Sequence, residues 1–224
     1  MQEINNTVLK SAGGTPDQVL ETSSDQRARL VRRGRSLEYF TIIWNCLESI
    51  VAIGSGLVAG SIALVGFGFD SLIESSSGVA LLWRLRDGDK GEQREKTALK
   101  FVGVSFLLLA AYVAFDAIKA LIEREAPRAS YVGIGLAVLS LVVMPLLARK
   151  KRQVAALLNS RALQADSRQT DICAYLSAIL LGGLLLNLFF GWWWSDPVAA
   201  LVMVVIIAKE GVEALKGETC SDCH

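Results

Sequence analysis

Asp70 and Glu74 stand four residues apart inside the run "GSIALVGFGFDSLIES", which is otherwise apolar or small. On a helix, residues four apart share a face, offset by about 40°. Two carboxylates in that relation repel, so either one holds a proton or a cation lies between them. Both states suit a site that trades protons for a metal ion. A carboxylate at bilayer depth costs roughly 2.5–3.5 kcal/mol on insertion scales, so such residues normally face a cavity and act there. Three more acids, Glu48, Asp116 and Asp171, lie inside or at the mouth of apolar runs. In "ADSRQTDIC", Asp171 has Ser167 four residues before it on the same face. Asp166, five residues before Asp171, lies about 140° round the helix and fits less well. This segment offers one firm carboxylate and a weaker oxygen, and oxygen ligands of this kind accept Mn²⁺, Fe²⁺, Co²⁺ or Zn²⁺. The same acids have a bland reading as hydrogen-bond ties between helices. It weighs most on Glu48 and Asp116, and least on the Asp70–Glu74 pair.

The elements that must hold these acids are membrane helices. Of 224 residues, 52% are hydrophobic, yet 23 are Lys or Arg and 22 are Asp or Glu. Mean hydropathy is +0.42. The charges fall in blocks between long uncharged runs, which excludes a disordered chain and an ordinary soluble domain. The net charge of +1 averages two opposite populations and says nothing about partners, but a nucleic-acid binder would need a basic face and none is apparent. Cys46 and Cys173 sit within apolar stretches, so the cysteines form no secreted disulfide framework. No pairing of nucleophile and base, no HExxH and no His inside a span argues for an enzyme or a bound prosthetic group.

Six candidate spans follow from the need for about 20 apolar residues each: 39–60, 61–83, 99–122, 131–148, 172–190 and 197–214. The fold class is therefore all-α, a polytopic six-helix membrane protein. Gly54, Gly56, Gly60 and Ser61 favour a tight hairpin between the first two spans over one 45-residue helix. Lys and Arg number six in residues 1–37, six in 84–100, six in 149–168 and two from Lys209 onward. Only Lys119, Arg124 and Arg128 lie near the opposite loops, so the positive-inside rule puts both termini in the cytoplasm. Trp192, Trp193 and Trp194 fit an interfacial aromatic belt. Residues 1–37 lack the apolar core of a cleavable signal and read as a largely disordered segment. Its basic stretch 26–38 would lie against anionic lipid. Residues 38–216 form the transmembrane domain, 153–168 extend the fifth helix into the cytoplasm, and 217–224 are a short tail.

Three segments together resemble a known family. "GSIALVGFGFDSLIES", "ADSRQTDICAYLSAILLGGLLLN" and "SDPVAALVMVVIIAKEGVEAL" are similar to the cation diffusion facilitator transporters over roughly residues 37–216. The resemblance implies six spans with both ends cytoplasmic. It also implies a metal site of two residues four apart on span two, here Asp70 and Glu74, and two on span five, here Ser167 and Asp171. Glu74 stands for the usual Asp. Ser167 stands for a stronger ligand, so Asp166 or Cys173 could substitute. The soluble C-terminal domain and the His-rich loop usual in the family have no counterpart, His224 being the one histidine. The resemblance is to a membrane-domain-only branch, in which a homodimer is left open.

The expectation is a secondary transporter of the inner (plasma) membrane that exports a divalent transition metal, Zn²⁺ foremost, in exchange for protons. The rival is a non-transporting scaffold whose acids only tie helices together. Counting at about 1.5 Å per residue, Asp70 and Asp171 match in depth only if the first hairpin is recessed or span five is tilted. The tail "CSDCH" matches a haem-attachment signature without a domain to enclose haem. Cys220, Cys223 and His224 could instead capture a soft metal ion.

Overall fold

The computed structural model describes the backbone of residues 16–87 and 92–216. The chain forms six helices: α1 (Pro16–Ala59), α2 (Ile62–Asp87), α3 (Glu92–Glu123), α4 (Tyr131–Leu158), α5 (Arg161–Phe190) and α6 (Ser195–Lys216). No strand occurs among the described residues. Four helices are long and apolar enough to cross a membrane, over residues 25–59, 100–123, 131–158 and 163–190. At about 1.5 Å per residue, α2 and α6 are also long enough for a ~30 Å hydrocarbon core. Their composition is more polar: α2 carries Asp70, Glu74 and Ser71, Ser75, Ser76 and Ser77, and α6 carries Lys209, Glu210 and Glu213. Packing explains how α2 tolerates this, since it touches α1, α3, α5 and α6.

At the ends expected from the basic residues to be outer, the helices stop within two residues of the expected spans. At the opposite ends, called inner on the same expectation, they run on. Helix α1 begins at Pro16 rather than Tyr39, so the basic juxtamembrane stretch 26–38 is helical and continuous with the first span. Helix α4 runs to Leu158, where Asn159 takes a left-handed C-cap (φ 50°), and Ser160 caps α5 by accepting from the Leu163 amide. The extension expected of the fifth helix is thus shared between two helices. Residues 1–15, 88–91 and 217–224, with Cys220, Cys223 and His224, lie outside the described residues.

Helices α1, α2, α4 and α5 pack together, and α3 pairs with α6 along the side of α2. Phe67, Leu64, Val113, Met144, Leu176 and Leu180 are fully buried between them. Outward, Val58 is 79% and Ile122 77% exposed, an apolar surface suited to lipid tails. Lipid tails are as apolar as leucine, so close packing rather than apolar burial must hold such helices together. Glycine supplies the closeness. A Cβ at Gly103 would stand 2.8 Å from the Gly211 carbonyl, and one at Gly56 would stand 2.9 Å from the Val65 amide. Gly60 differs: nothing lies within 4 Å, and its φ of 69° makes the α1–α2 hairpin possible.

That hairpin is recessed, and this narrows the depth mismatch between α2 and α5. Ser61 Oγ and the amides of Ile62 and Ala63 donate to the buried carboxylate of Asp196, at the start of α6. Ser61 Oγ in turn accepts from the Leu64 amide, capping α2. One residue from Asp196, Ser195 Oγ donates to the Gly183 carbonyl at 3.0 Å. The start of α2 is therefore level with Gly183, about 10 Å below the end of α5 at Phe190. From these two levels Glu74 and Thr170 lie 12 and 13 residues inward, and they meet.

Candidate metal centre

One face of α1 is polar where it should be greasy. Glu38, Thr41, Asn45 and Glu48 are all buried, at the three- and four-residue spacing of a single helical stripe. Asp70, Ser71, Glu74 and Ser75 are buried on α2, and Asp166, Ser167, Thr170, Cys173 and Ser177 on α5. Helix α4 adds Ser140 and the ammonium of Lys151, both at 0% exposure.

These groups meet at two levels. At the inner one, Lys151 Nζ lies 3.0 Å from Glu38 Oε2 and 2.6 Å from Asp166 Oδ2. It also lies 3.4 Å from Thr170 Oγ1, which it can only donate to. The Thr170 hydroxyl has one proton for two acceptors, Glu74 Oε1 at 3.3 Å and the Asp166 carbonyl at 3.2 Å. Further into the bundle, one turn from Glu74 along α2, Ser71 Oγ has one proton for Glu48 Oε2 at 2.9 Å and the Phe67 carbonyl at 3.1 Å, and the hydroxyls of Ser177 and Ser140 lie 2.9 Å apart. Several buried polar atoms are left over. Glu48 Oε1, Glu74 Oε2 and both amide atoms of Asn45 make no hydrogen bond. Unpaired buried polar atoms are costly, and a cluster of them marks a place where an ion or water is needed. Glu74 and Glu48 lie within Coulombic reach of Asp70, and so does Glu210 of α6.

The expected site residues divide. Asp70 and Glu74 share the buried face of α2, as their spacing predicts. On α5, the expected order of Asp171 over Asp166 reverses. Asp171 is engaged by Arg152 Nη2 at 3.0–3.1 Å, in a pair whose side chains are 51% and 28% exposed. Ser167 is buried, but its hydroxyl donates back to the Gln164 carbonyl at 2.7 Å. The group beside Glu74 is Thr170, with Asp166 one turn behind it. The reason is rotational. Positions 166, 170, 173, 177, 180 and 184 form the face of α5 that packs inward, and 171 lies about 140° from its centre. Of the supporting acids, Glu48 is buried against Ser71, while Asp116 is only half-buried on α3, one turn from Tyr112. Among the described residues no three Asp, Glu, Cys or His side chains converge closely enough to hold one metal ion. The ammonium of Lys151 stands at Asp166 instead.

Sequence reasoning missed Glu38, Asn45, Lys151, Thr170 and Glu210. A signal existed for the first two, in the polar stripe at 38, 41, 45 and 48. Lys151 was hidden in the run "RKKR", which reads as an ordinary inner loop.

Residues 40–218 match the profile of the cation efflux transmembrane domain. The chain belongs to the cation efflux family. The resemblance to the cation diffusion facilitators drawn from the sequence is thereby confirmed, from residue 40 within α1 to the end of α6. An uncharacterized transporter of the archaeon Methanocaldococcus jannaschii is 28% identical over 155 residues, covering 65% of this chain and 55% of the relative. The chain thus spans about half the length of that curated relative. In this cation efflux domain the acids Glu38, Glu48, Asp70, Glu74 and Asp166 of α1, α2 and α5 are buried within the bundle rather than turned to lipid.

Proposed function

We propose that the protein exports a divalent transition-metal cation, Zn²⁺ foremost and Mn²⁺, Fe²⁺ or Co²⁺ also within the chemistry, in exchange for protons. The observation that carries this reading is the buried pair Asp70 and Glu74 on α2 of a cation efflux domain, with Thr170 of α5 against Glu74 and Asp166 one turn behind Thr170. The proposed ligands are Asp70 and Glu74 with Asp166, a set of hard oxygens to which Cys173, buried at 1% beside Glu74, could add sulfur. Asp171 and Ser167 would require α5 to turn before they could join. The orientation follows the basic residues: the inner ends of α1, α4 and α5 carry them, so the Lys151 end faces the cytoplasm.

Carboxylates must be ionised to hold a metal, so binding releases protons and acid promotes metal release. An imposed proton gradient then drives export without a prosthetic group. Calorimetry of Zn²⁺ binding in buffers of different ionisation enthalpy counts the protons displaced. We expect at least one per ion, and loss of binding in Asp70→Asn. A count of zero with affinity flat between about pH 5.5 and about 7.5 would refute proton exchange at these acids.

A further inference from the structure

We infer that Lys151 is a tethered cation that fills the inner carboxylate pocket until the transported ion displaces it, and that Glu38 is an acid of that pocket contributed by α1. The inference rests on the metal-export reading above and deepens it. Its ground is the arrangement around one ammonium. Lys151 Nζ is in contact with Glu38 at 3.0 Å, Asp166 at 2.6 Å and Thr170 at 3.4 Å, and Thr170 in turn reaches Glu74 at 3.3 Å. Four helices converge there. Two carboxylates contact a single ammonium and a third, that of Glu74, stands one hydroxyl away, so the pocket holds more carboxyl groups than one lysine can pair with. Glu38 Oε1 and Glu74 Oε2, on side chains 1% and 3% exposed, are still without hydrogen-bond partners.

A purely structural ion pair does not need a surplus of acids, and well-packed apolar residues often do the structural task as well or better. A pocket that must take a divalent cation does need the surplus. Once such an ion is bound to Glu74 and Asp166, an ammonium at 2.6 Å from Asp166 becomes a like charge in a poorly screened interior, and the two cannot share the site. The lysine stem has four methylenes and can carry its charge away. The surroundings hold the ammonium in place meanwhile. Leu37, Val154, Ala155, Leu158 and Leu163 form a small apolar cluster on the inner side of the pocket. Gly78 of α2 makes the room for Glu38, since a Cβ there would stand 2.5 Å from its Oε1. The lysine thus keeps the site neutralised when no cargo is bound, and competes with the ion whenever it is.

Zn²⁺ binding to the full chain in detergent, at one fixed pH, tests this with Lys151→Arg, Lys151→Gln and the double change Glu38→Gln with Lys151→Gln. The double variant removes one charge of each sign and keeps hydrogen-bonding groups. We expect both Gln variants to bind Zn²⁺ at least tenfold tighter than wild type, and Lys151→Arg to stay within threefold. A Gln variant binding no tighter than wild type overturns the inference. A second readout needs no variant: saturating Zn²⁺ should raise the reaction of Lys151 with an amine-acylating reagent, read by mass spectrometry. Unchanged labelling overturns it too. If wild type binds no Zn²⁺, the export reading falls with it. If wild type binds and Asp70→Asn does not, yet the Lys151 readouts fail, only the tethered-cation inference falls.

Discussion

Replacing Asp196 should unseat the outer end of the bundle and, with it, the register of the acids. Asp196 is 1% exposed and accepts from Ser61 Oγ, from the Ile62 amide at 2.9 Å and more weakly from the Ala63 amide at 3.4 Å. Hydrogen bonds to a charged group are worth about 1.5–3 kcal/mol each. Asp196→Ala strands the Ser61 hydroxyl and one amide, with some recovery by water at half-buried Ile62. The expected loss is about 3–4 kcal/mol. Asp196→Asn keeps an acceptor for the amides and loses mainly the favourable charge at two helix N-termini, about 1 kcal/mol. Ser61→Ala loses the cap on the Leu64 amide as well as the bond to Asp196, about 2 kcal/mol in all. Because Ser61 and Asp196 share one bond, the double change should cost less than the two single changes together. Unfolding in mixed detergent–SDS micelles measures these differences. Metal binding should weaken in Asp196→Ala although no acid of the site is touched, because α2 is no longer held level with α5. Unfolding of Asp196→Ala at the wild-type SDS fraction, with unaltered metal binding, would refute the recessed-hairpin account.

Further outcomes follow from the same geometry. Gly103→Val should separate α3 from α6 and prevent folding, whereas Gly54→Ala, with nothing within 4 Å, should leave the SDS midpoint unchanged or raised by about 0.5–1 kcal/mol. Asp171→Asn breaks only a half-exposed pair with Arg152, so it should cost under about 1 kcal/mol and leave Zn²⁺ affinity within threefold, while Asp166→Asn should weaken it at least tenfold. Equal losses in both variants would put the metal elsewhere on α5. Zn²⁺ affinity should fall as the pH drops from about 7.5 to about 5.5, because protons compete for the same carboxylate oxygens. Titration calorimetry reads each of these affinities.

The helices and their outer ends were legible because the signals there are local. Runs of apolar residues, Gly60 at the hairpin and the "GWWWSDP" turn are properties of short stretches. The inner ends were not. A helix that leaves the hydrocarbon core loses its apolar signature without ceasing to be a helix, so α1 back to Pro16 reads as a tail with a basic juxtamembrane stretch, and the end of α4 at Leu158 reads as part of the next helix. Asp70 and Glu74 were legible for the same local reason, two acids on one face of an apolar run. The α5 side of the site was not. Spacing alone pairs Asp171 with Ser167 as readily as Asp166 with Thr170. Which pair faces inward is set by how Leu176, Leu180 and Leu184 pack, a tertiary matter. Lys151 was hidden for the complementary reason: among four consecutive basic residues, nothing in the sequence marks the one whose burial Glu38 and Asp166 make tolerable.

The central claim is that buried acids of α2 carry a divalent cation through this bundle against protons. Proteoliposomes loaded with a Zn²⁺-sensitive dye, under an imposed pH gradient, test it directly with wild type, Asp70→Asn and Glu74→Gln side by side. Wild type should accumulate Zn²⁺ only while the gradient lasts, and both variants should fall to the rate of protein-free vesicles while unfolding at the wild-type SDS fraction. Zn²⁺, Mn²⁺, Fe²⁺ and Co²⁺ flux equal to that of protein-free vesicles in wild type, or wild-type flux in Asp70→Asn, would contradict the account.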